Sequence, residues 1–283
     1  MSVVSPALGV SFDGRSTTVL ERLAPFVDVV EIAPDRFVTK YSDAVDDRMF
    51  AAVDEHASHL DVTYHGVGLS MGTASGWNEE YLELLEGLCA QRPPRRHSEH
   101  LGFTFVDGHF LGTIAAVPAT LAVADLMAER AEAIYQRFGL DFLLEHVASP
   151  FARPDEMSAA SFLTYVAWNS GCGLVLDLHN LECDEDNGKL RVDEFLDELD
   201  LTLVKEIHVS GGLWRDGYHL DVHAQLPAAS TLALLDQALP RCPNVDLVVF
   251  EMVGCALDAV ARDELVATVQ DLRGRIEVSG VVG

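Results

Sequence analysis

The chain has 283 residues, 49% of them hydrophobic, with 21 Gly and 11 Pro spread along it, enough for one large domain with a full core. Nineteen Lys and Arg stand against 45 Asp and Glu, and a formal net charge of −26 would repel a phosphate backbone, so nucleic acid is not an expected partner. No apolar stretch is long enough for a membrane helix and the N-terminus has no basic region before an apolar run, so no membrane is expected and the expected compartment is the cytoplasm.

Short apolar runs recur along the chain: LGVSF (8–12), DVVEIA (28–33), VTYHG (62–66), SEHLGF (98–103), FLLEHV (142–147), GLVLDLHN (173–180), EIHVSG (206–211) and LVVFEM (247–252). Each suits a strand buried on both faces, as parallel strands are. Between them lie helical patterns. Asn78 is placed to cap NEEYLELLEGLCAQ, with Tyr81, Leu82, Leu85 and Leu88 on one stripe. PATLAVADLMAERAEAIYQRFG has Pro118 near its start and Gly139 past its end, the usual punctuation of a helix. AASTLALLDQAL and ARDELVATVQDL behave alike, and no linker, charge block or low-complexity tract interrupts the alternation. Eight strand–helix units in a chain of this size predict an α/β protein, a (β/α)8 TIM barrel forming a single domain over 1–283. An open doubly wound sheet is the rival, but no Gly-rich phosphate fingerprint follows the first strand.

Polar residues collect at the late positions of these strands: Glu31, His65, Glu99 with His100, Glu145 with His146, Asp177 with His179 and Asn180, His208 and Glu251. Asp221 and His223, in YHLDVHAQ, follow the seventh strand. The late ends of barrel strands are where ligands bind and chemistry is done. If LDLHN is strand throughout, Asp177 and His179 face one space, and Glu99 faces away from His100. Singly, each residue reads as a hydrogen-bonded core group. Together, so many buried acids and imidazoles would repel and be desolvated unless cations joined them. Histidine plus carboxylate without thiolate suits iron, manganese or zinc better than magnesium or calcium, and the donors exceed one coordination sphere, so at least two metals are expected. The five cysteines, at 89, 172, 183, 242 and 255, have no C-x-x-C spacing and an odd count, which argues against a disulfide framework or a zinc ribbon.

HGVGLS (65–70), SEHLGF (98–103), LLEH (143–146), LDLHN (176–180), EIHVSG (206–211), DVH (221–223) and Glu251 match, in order and spacing, a known family. The chain resembles the multinuclear non-heme iron-dependent oxidative enzymes, typified by the iron enzyme of methanobactin biosynthesis, over about residues 8–270. The resemblance implies a (β/α)8 barrel that holds two or three irons as a mixed-valent Fe(II)/Fe(III) set, uses O2 as co-substrate and modifies a ribosomally made precursor peptide, usually at cysteine. It also implies a separate small partner protein for peptide recognition. Carried over by position, His65 and His100 ligate one iron. Glu145 bridges it to a second, held also by Asp177, His208 and Glu251. Asn180, Asp221 and His223, with His179 beside them, surround a third. Glu145, His100 and Asp177 are the catalytic candidates. The chain departs from the family pattern at His146, where Asn is usual, and at Asp177-Leu178-His179-Asn180, where Asp-Val-Asn-Asn is usual. It also has Gly211 and Gly212 in place of a second histidine, and Met252-Val253 in place of Arg-Asp.

Two other readings accompany this one. A divalent-metal barrel of the sugar isomerase or abasic-site endonuclease kind also gathers His, Asp and Glu at strand ends, though the endonuclease version needs a basic groove that this charge disfavours. A non-catalytic binding protein would use the same ends as a hydrogen-bonded cup.

Overall fold

The structure is a computed structural model that describes residues 5–14, 16–36, 38–39, 42–45, 47–151 and 153–281. The first four and last two residues of the expected domain therefore lie outside the described residues.

The eight apolar runs form the eight parallel strands of a closed barrel. In chain order these are β1 (Ala7–Phe12), β2 (Val29–Ile32), β5 (Asp61–Gly66), β6 (Arg96–His100), β9 (Asp141–Glu145), β10 (Gly173–Asp177), β11 (Val204–Val209) and β14 (Leu247–Phe250). Each barrel strand pairs with its predecessor, and β14 closes on β1. The helices are α1 (Thr18–Leu23), α2 (Asp47–His56), α3 (Glu79–Gln91), α4 (Leu121–Phe138), α5 (Ala159–Ser170), α6 (Leu178–Asp186), α7 (Val192–Glu198), α8 (Ala229–Ala238), α9 (Gly254–Leu257) and α10 (Arg262–Val281). None of the described helices is long and apolar enough to cross a membrane. The fold is the α/β (β/α)8 TIM barrel expected from the alternation.

Local chemistry fixes the helix ends. Asn78 Oδ1 accepts the Tyr81 amide and opens α3, while Thr120 does the same for Val123 and opens α4. Gly139 closes α4 at φ 64°, a left-handed conformation that costs glycine little. The helices bury Leu82, Leu85 and Leu88 of α3, and Met127 and Ile134 of α4, in one large cluster with Leu8, Val10 and Phe12 of β1. Each such Leu or Met contributes about 1.5–3 kcal/mol by burial. A second, small cluster of Val29, Leu247 and Val249 packs with Ala7 near the strand starts. The same strands carry the acids and histidines at their other ends.

Several runs end as strands two or three residues early, and at two of them a new element begins inside the run. SEHLGF is not one strand: β6 ends at His100, and Gly102 begins an antiparallel hairpin, β7 (Gly102–Val106) with β8 (His109–Ala116). GLVLDLHN is not strand to its end: β10 stops at Asp177, and Leu178–Asn180 are the first turn of α6. Asp177 is the reason, because its Oδ1 accepts the Asn180 amide at 2.7 Å and caps that helix. Two further hairpins follow barrel strands, β3 (Val38–Thr39) with β4 (Ser42–Val45), and β12 (Leu213–Arg215) with β13 (Tyr218–Leu220). The turns Asp107-Gly108 and Asp216-Gly217 hold all four residues at positive φ, the conformation a two-residue hairpin needs.

Candidate metal centre

Strand register assembles the site. His65 stands beside Ser98, His100 beside Glu145, and Asp177 beside His208, so the late positions of β5, β6, β9, β10 and β11 form a contiguous arc. The loop after β5, HGVGLS, is held on all sides. The Val67 amide donates to Asp35 at 3.0 Å, and Ser70, at φ 55°, accepts amide bonds from Thr104 and Phe105 through its hydroxyl. A Cβ at Gly66 would overlap Tyr81 Oη and Glu99 Oε1, and one at Gly68 would overlap Asp35, so glycine is needed for the approach.

Glu145 is central. Its Oε2 lies 2.9 Å from His65 Nε2, 3.7 Å from His100 Nε2 and 3.7 Å from His208 Nδ1, while its Oε1 accepts from the Asn180 side-chain Nδ2 at 2.9 Å. His208 Nδ1 is also 3.1 Å from Glu251 Oε2. His223 Nδ1 reaches the same Glu251 oxygen at 3.7 Å, and its Nε2 lies 2.8 Å from Asp221 Oδ1. Four overlapping sets of donors result, each able to hold a cation: Glu31, His65 and His208; His65, His100 and Glu145; Glu145, Asp177 and His208; Asp177, His223 and Glu251.

The histidines are oriented from behind. His65 Nδ1 bonds Ser98 Oγ at 2.8 Å, His100 Nδ1 donates to the Gly66 carbonyl at 3.0 Å, and His208 Nε2 lies 2.8 Å from Glu206. The opposite nitrogen of each ring then faces the cluster, as a metal-bound imidazole requires. The facing atoms have no hydrogen-bond partner: His65 Nε2, His208 Nδ1, Glu145 Oε2, Asp177 Oδ2, Asn180 Oδ1, Glu251 Oε2, Asp221 Oδ1, His223 Nε2 and both oxygens of Glu31. Orphaned buried polar atoms cost about 1–3 kcal/mol each, so this concentration calls for a shared partner, and cations fit it.

The electrostatics agree. Burial pushes the Glu31 carboxyl up to about 7 despite the opposing His208 imidazole. Burial, with Glu145 and Asp221 nearby, raises Asp177 to about 7 as well. At Glu145 burial is overruled by His100 and His65, which hold the carboxyl at about 2. At His65 burial is overruled by Glu145, which lifts the imidazole to about 9. The donors open on a cavity of about 370 Å³ lined by Phe12, Arg36, Val67, Ile114, Met252 and Val253 as well as by Glu31, His65, His100, Asp221, His223 and Glu251.

Residues 7–255 match the family described as RiPP precursor modification enzyme MbnB/TglH/ChrH. The chain belongs to that family. The MbnB/TglH/ChrH match spans all eight barrel strands and every residue of the cluster. Among curated relatives, a UPF0276 protein of Acaryochloris marina is 31% identical over 191 residues, 67% of this chain and 69% of its own. A UPF0276 protein of Caulobacter vibrioides is 28% identical over 265 residues, 92% and 88% of the two chains. Among solved structures, L-ribulose 3-epimerase aligns at TM-score 0.57 and 15% identity, covering 97% of this chain and 95% of that one. Endonuclease IV from Thermus thermophilus aligns at TM-score 0.56 and 13% identity, covering 96% and 99%. At these identities the structures share the barrel fold.

Of the residues expected at the metals, His65, His100, Glu145, Asp177, Asn180, His208, Asp221, His223 and Glu251 stand in this MbnB/TglH/ChrH cluster. His179 does not share the Asp177 space through strand alternation, because it lies on α6. It turns to Cys183 and His219, and its Nε2 occupies the space that a Cβ on Gly212 would need. Glu99, expected on the wall opposite His100, pairs with His97 at 3.0 Å. Glu31 stands among the strand-end acids read from the sequence but not among the expected ligands, and Glu206 is in neither set. Glu206 precedes His208 by two strand positions, the same i, i+2 signal that drew attention to Asp177.

Proposed function

We propose that this chain is an O2-dependent, multinuclear non-heme iron oxidoreductase that modifies a ribosomally made precursor peptide at a cysteine, with a separate small protein presenting the peptide. The reading rests on the MbnB/TglH/ChrH membership. The single observation that carries its chemistry is Glu145, whose one unpartnered oxygen faces three imidazoles from three strands. A carboxylate in that position is suited to bridge two metals.

His65, His100 and Glu145 would hold one iron, and Glu145, Asp177, His208 and Glu251 a second. Asp177, Asn180, Asp221 and His223 would surround a third. His179 is assigned to none of them. Bound iron would supply the redox capacity for O2 activation and oxidation at the substrate thiol-bearing residue. The remaining work belongs to the chain. Ser98, the Gly66 carbonyl and Glu206 keep each imidazole nitrogen facing inward. Asn180 holds Glu145 by its other oxygen. His100 is the most open of the strand-end ligands, at 11% side-chain exposure, so it borders the space where substrate enters. Phe12, Val67, Met252 and Val253 give that space an apolar lining that keeps bulk water from the reacting centre.

The whole chain, 1–283, serves as one barrel domain in the cytoplasm. The free state of all five cysteines supports a reducing compartment. Anaerobic loading with Fe(II), metal counting, and O2 uptake with a cysteine-bearing precursor peptide test the reading. Iron with visible absorption and peptide-dependent O2 uptake is expected. Colourless protein that retains only manganese or magnesium, and acts without O2, would replace it with a divalent-metal isomerase or hydrolase.

A further inference from the structure

Beside the barrel cluster, α6 and the β12–β13 hairpin bring together a second donor set of a different chemical kind. His179 and Cys183 are one helical turn apart on α6, and His219 comes from β13. Their ligand atoms lie within 4.8 Å of one another. Cys183 Sγ is 3.4 Å from His179 Nε2, and the two imidazole rings meet edge to face at 4.9 Å between centroids. His179 and Cys183 are 2% and 1% exposed, so neither donor is a surface accident.

The His219 ring is hydrogen-bonded to a carboxylate through its far nitrogen, and the His179 ring has a carboxylate near its own without a hydrogen bond. His219 Nδ1 lies 2.8 Å from Asp186 Oδ2, and His179 Nδ1 lies 3.6 Å from Glu182 Oε2, which in turn accepts from Thr231. That leaves the two Nε2 atoms on the Cys183 side, and at His219 it is the arrangement of a carboxylate–histidine–metal triad. Gly212 leaves room for it, because a Cβ there would collide with His179 Nε2. Trp214, itself exposed, stacks on His219 at 4.9 Å and 8°.

We propose that His179 Nε2, Cys183 Sγ and His219 Nε2 form a separate zinc-class site that clamps the β12–β13 hairpin to α6. Two imidazoles and a thiolate suit a borderline-soft cation such as Zn2+, in contrast to the oxygen-rich, thiolate-free barrel cluster. Three protein ligands leave a fourth position for water. The clamp has a consequence for the neighbouring centre. His219 is two residues before Asp221 and four before His223, whose backbone sits at φ 49° and is held by the Val253 amide. Fixing His219 therefore fixes the segment that presents Asp221 and His223.

Cobalt(II) tests the site independently of the barrel cluster, since only a thiolate ligand gives a sulfur-to-cobalt charge-transfer band in the near ultraviolet. Wild-type protein titrated with Co2+ should show that band at one equivalent, together with tetrahedral ligand-field absorption, and Zn2+ should bleach it. Cys183→Ser should abolish the band, His219→Ala should weaken Co2+ binding by at least about 10-fold, and Cys255→Ser, which removes the exposed thiol, should leave it intact. The total metal count less the equivalents that give the thiolate band reports the barrel cluster, and the count in Cys183→Ser checks it, so failure of one site does not mask the other. Absence of the band in wild type, or its survival in Cys183→Ser, would overturn the proposal and leave Cys183 and His179 as a hydrogen-bonded core pair.

Discussion

Glu145 Oε2 and His65 Nε2 stand 2.9 Å apart at the ends of β9 and β5, yet neither has a hydrogen-bond partner. The two groups are close enough to share a cation and are not aligned to satisfy each other. Because the same oxygen also faces His100 and His208, removing it should affect two metal positions at once. Glu145→Ala is expected to lose metal from both, whereas His65→Ala should mainly weaken one. Iron counting on purified variants, each checked for native folding, decides this. Wild-type stoichiometry in Glu145→Ala removes the bridge.

The third of the proposed metal positions draws on a loop. Asp221 and His223 follow β13 and are half-buried, whereas Glu145, Asp177 and His208 are carried by strand ends and are nearly inaccessible. Ligands on rigid elements hold geometry better than ligands on loops. Mild chelation should therefore strip one ion first, and Asp221→Ala should leave about two per chain. Complete emptying by Asp221→Ala would show that the three positions are not separable.

Glu206 is wholly buried between His208 Nε2 and Arg96. Glu206→Ala should lower metal affinity about 10–100-fold by freeing the His208 ring. It should also destabilise the fold by about 1–3 kcal/mol, because the buried His208 nitrogen loses its partner while Arg96 keeps Asp246 and the Lys205 carbonyl. Glu206→Gln keeps an acceptor for His208 and should recover much of the affinity. Isothermal titration and chemical denaturation separate the two effects; equal affinity in both variants would mean that Glu206 does not orient the ring.

Well above pH 4.5, where Glu145 is fully ionised in both states, chelator-treated protein should lose stability as pH rises. His65 is raised from 6.5 to about 9, so its contribution is full below pH 6.5 and fades as pH rises through 9. Glu31 and Asp177, each raised to about 7, act in the same direction between their ordinary values and pH 7, since their neutral forms are favoured in the fold. Metal binding runs the other way, because protons compete for the same donors. The Tm gap between metal-loaded and metal-free protein should therefore widen from pH 6.5 to 9, by about 2–4 °C for each kcal/mol. A gap that narrows would contradict these assignments.

The sequence by itself determined the barrel and the gathering of acids and histidines at its mouth. Eight apolar runs alternating with capped helices allow few other closed folds, and a polar residue at the end of a strand buried on both faces has nowhere to go but the mouth of the barrel. His65, His100, Glu145, His208 and Glu251 were legible for that reason, since strand position fixes which end a side chain occupies. Tertiary structure decided what periodicity could not. LDLHN carries an apolar run that reads as strand, but the Asp177 carboxylate captures the Asn180 amide and starts a helix, which sends His179 to Cys183 and His219 instead of to Asp177. The hairpin turns at Asp107-Gly108 and Asp216-Gly217 lie outside the eight apolar runs, and both residues of each turn sit at positive φ. Glu31 and Glu206 became part of the site through neighbours on other strands, His208 above all. Local pattern sets which element a residue joins; the partner across the barrel, brought there by register and closure, sets what its side chain must do.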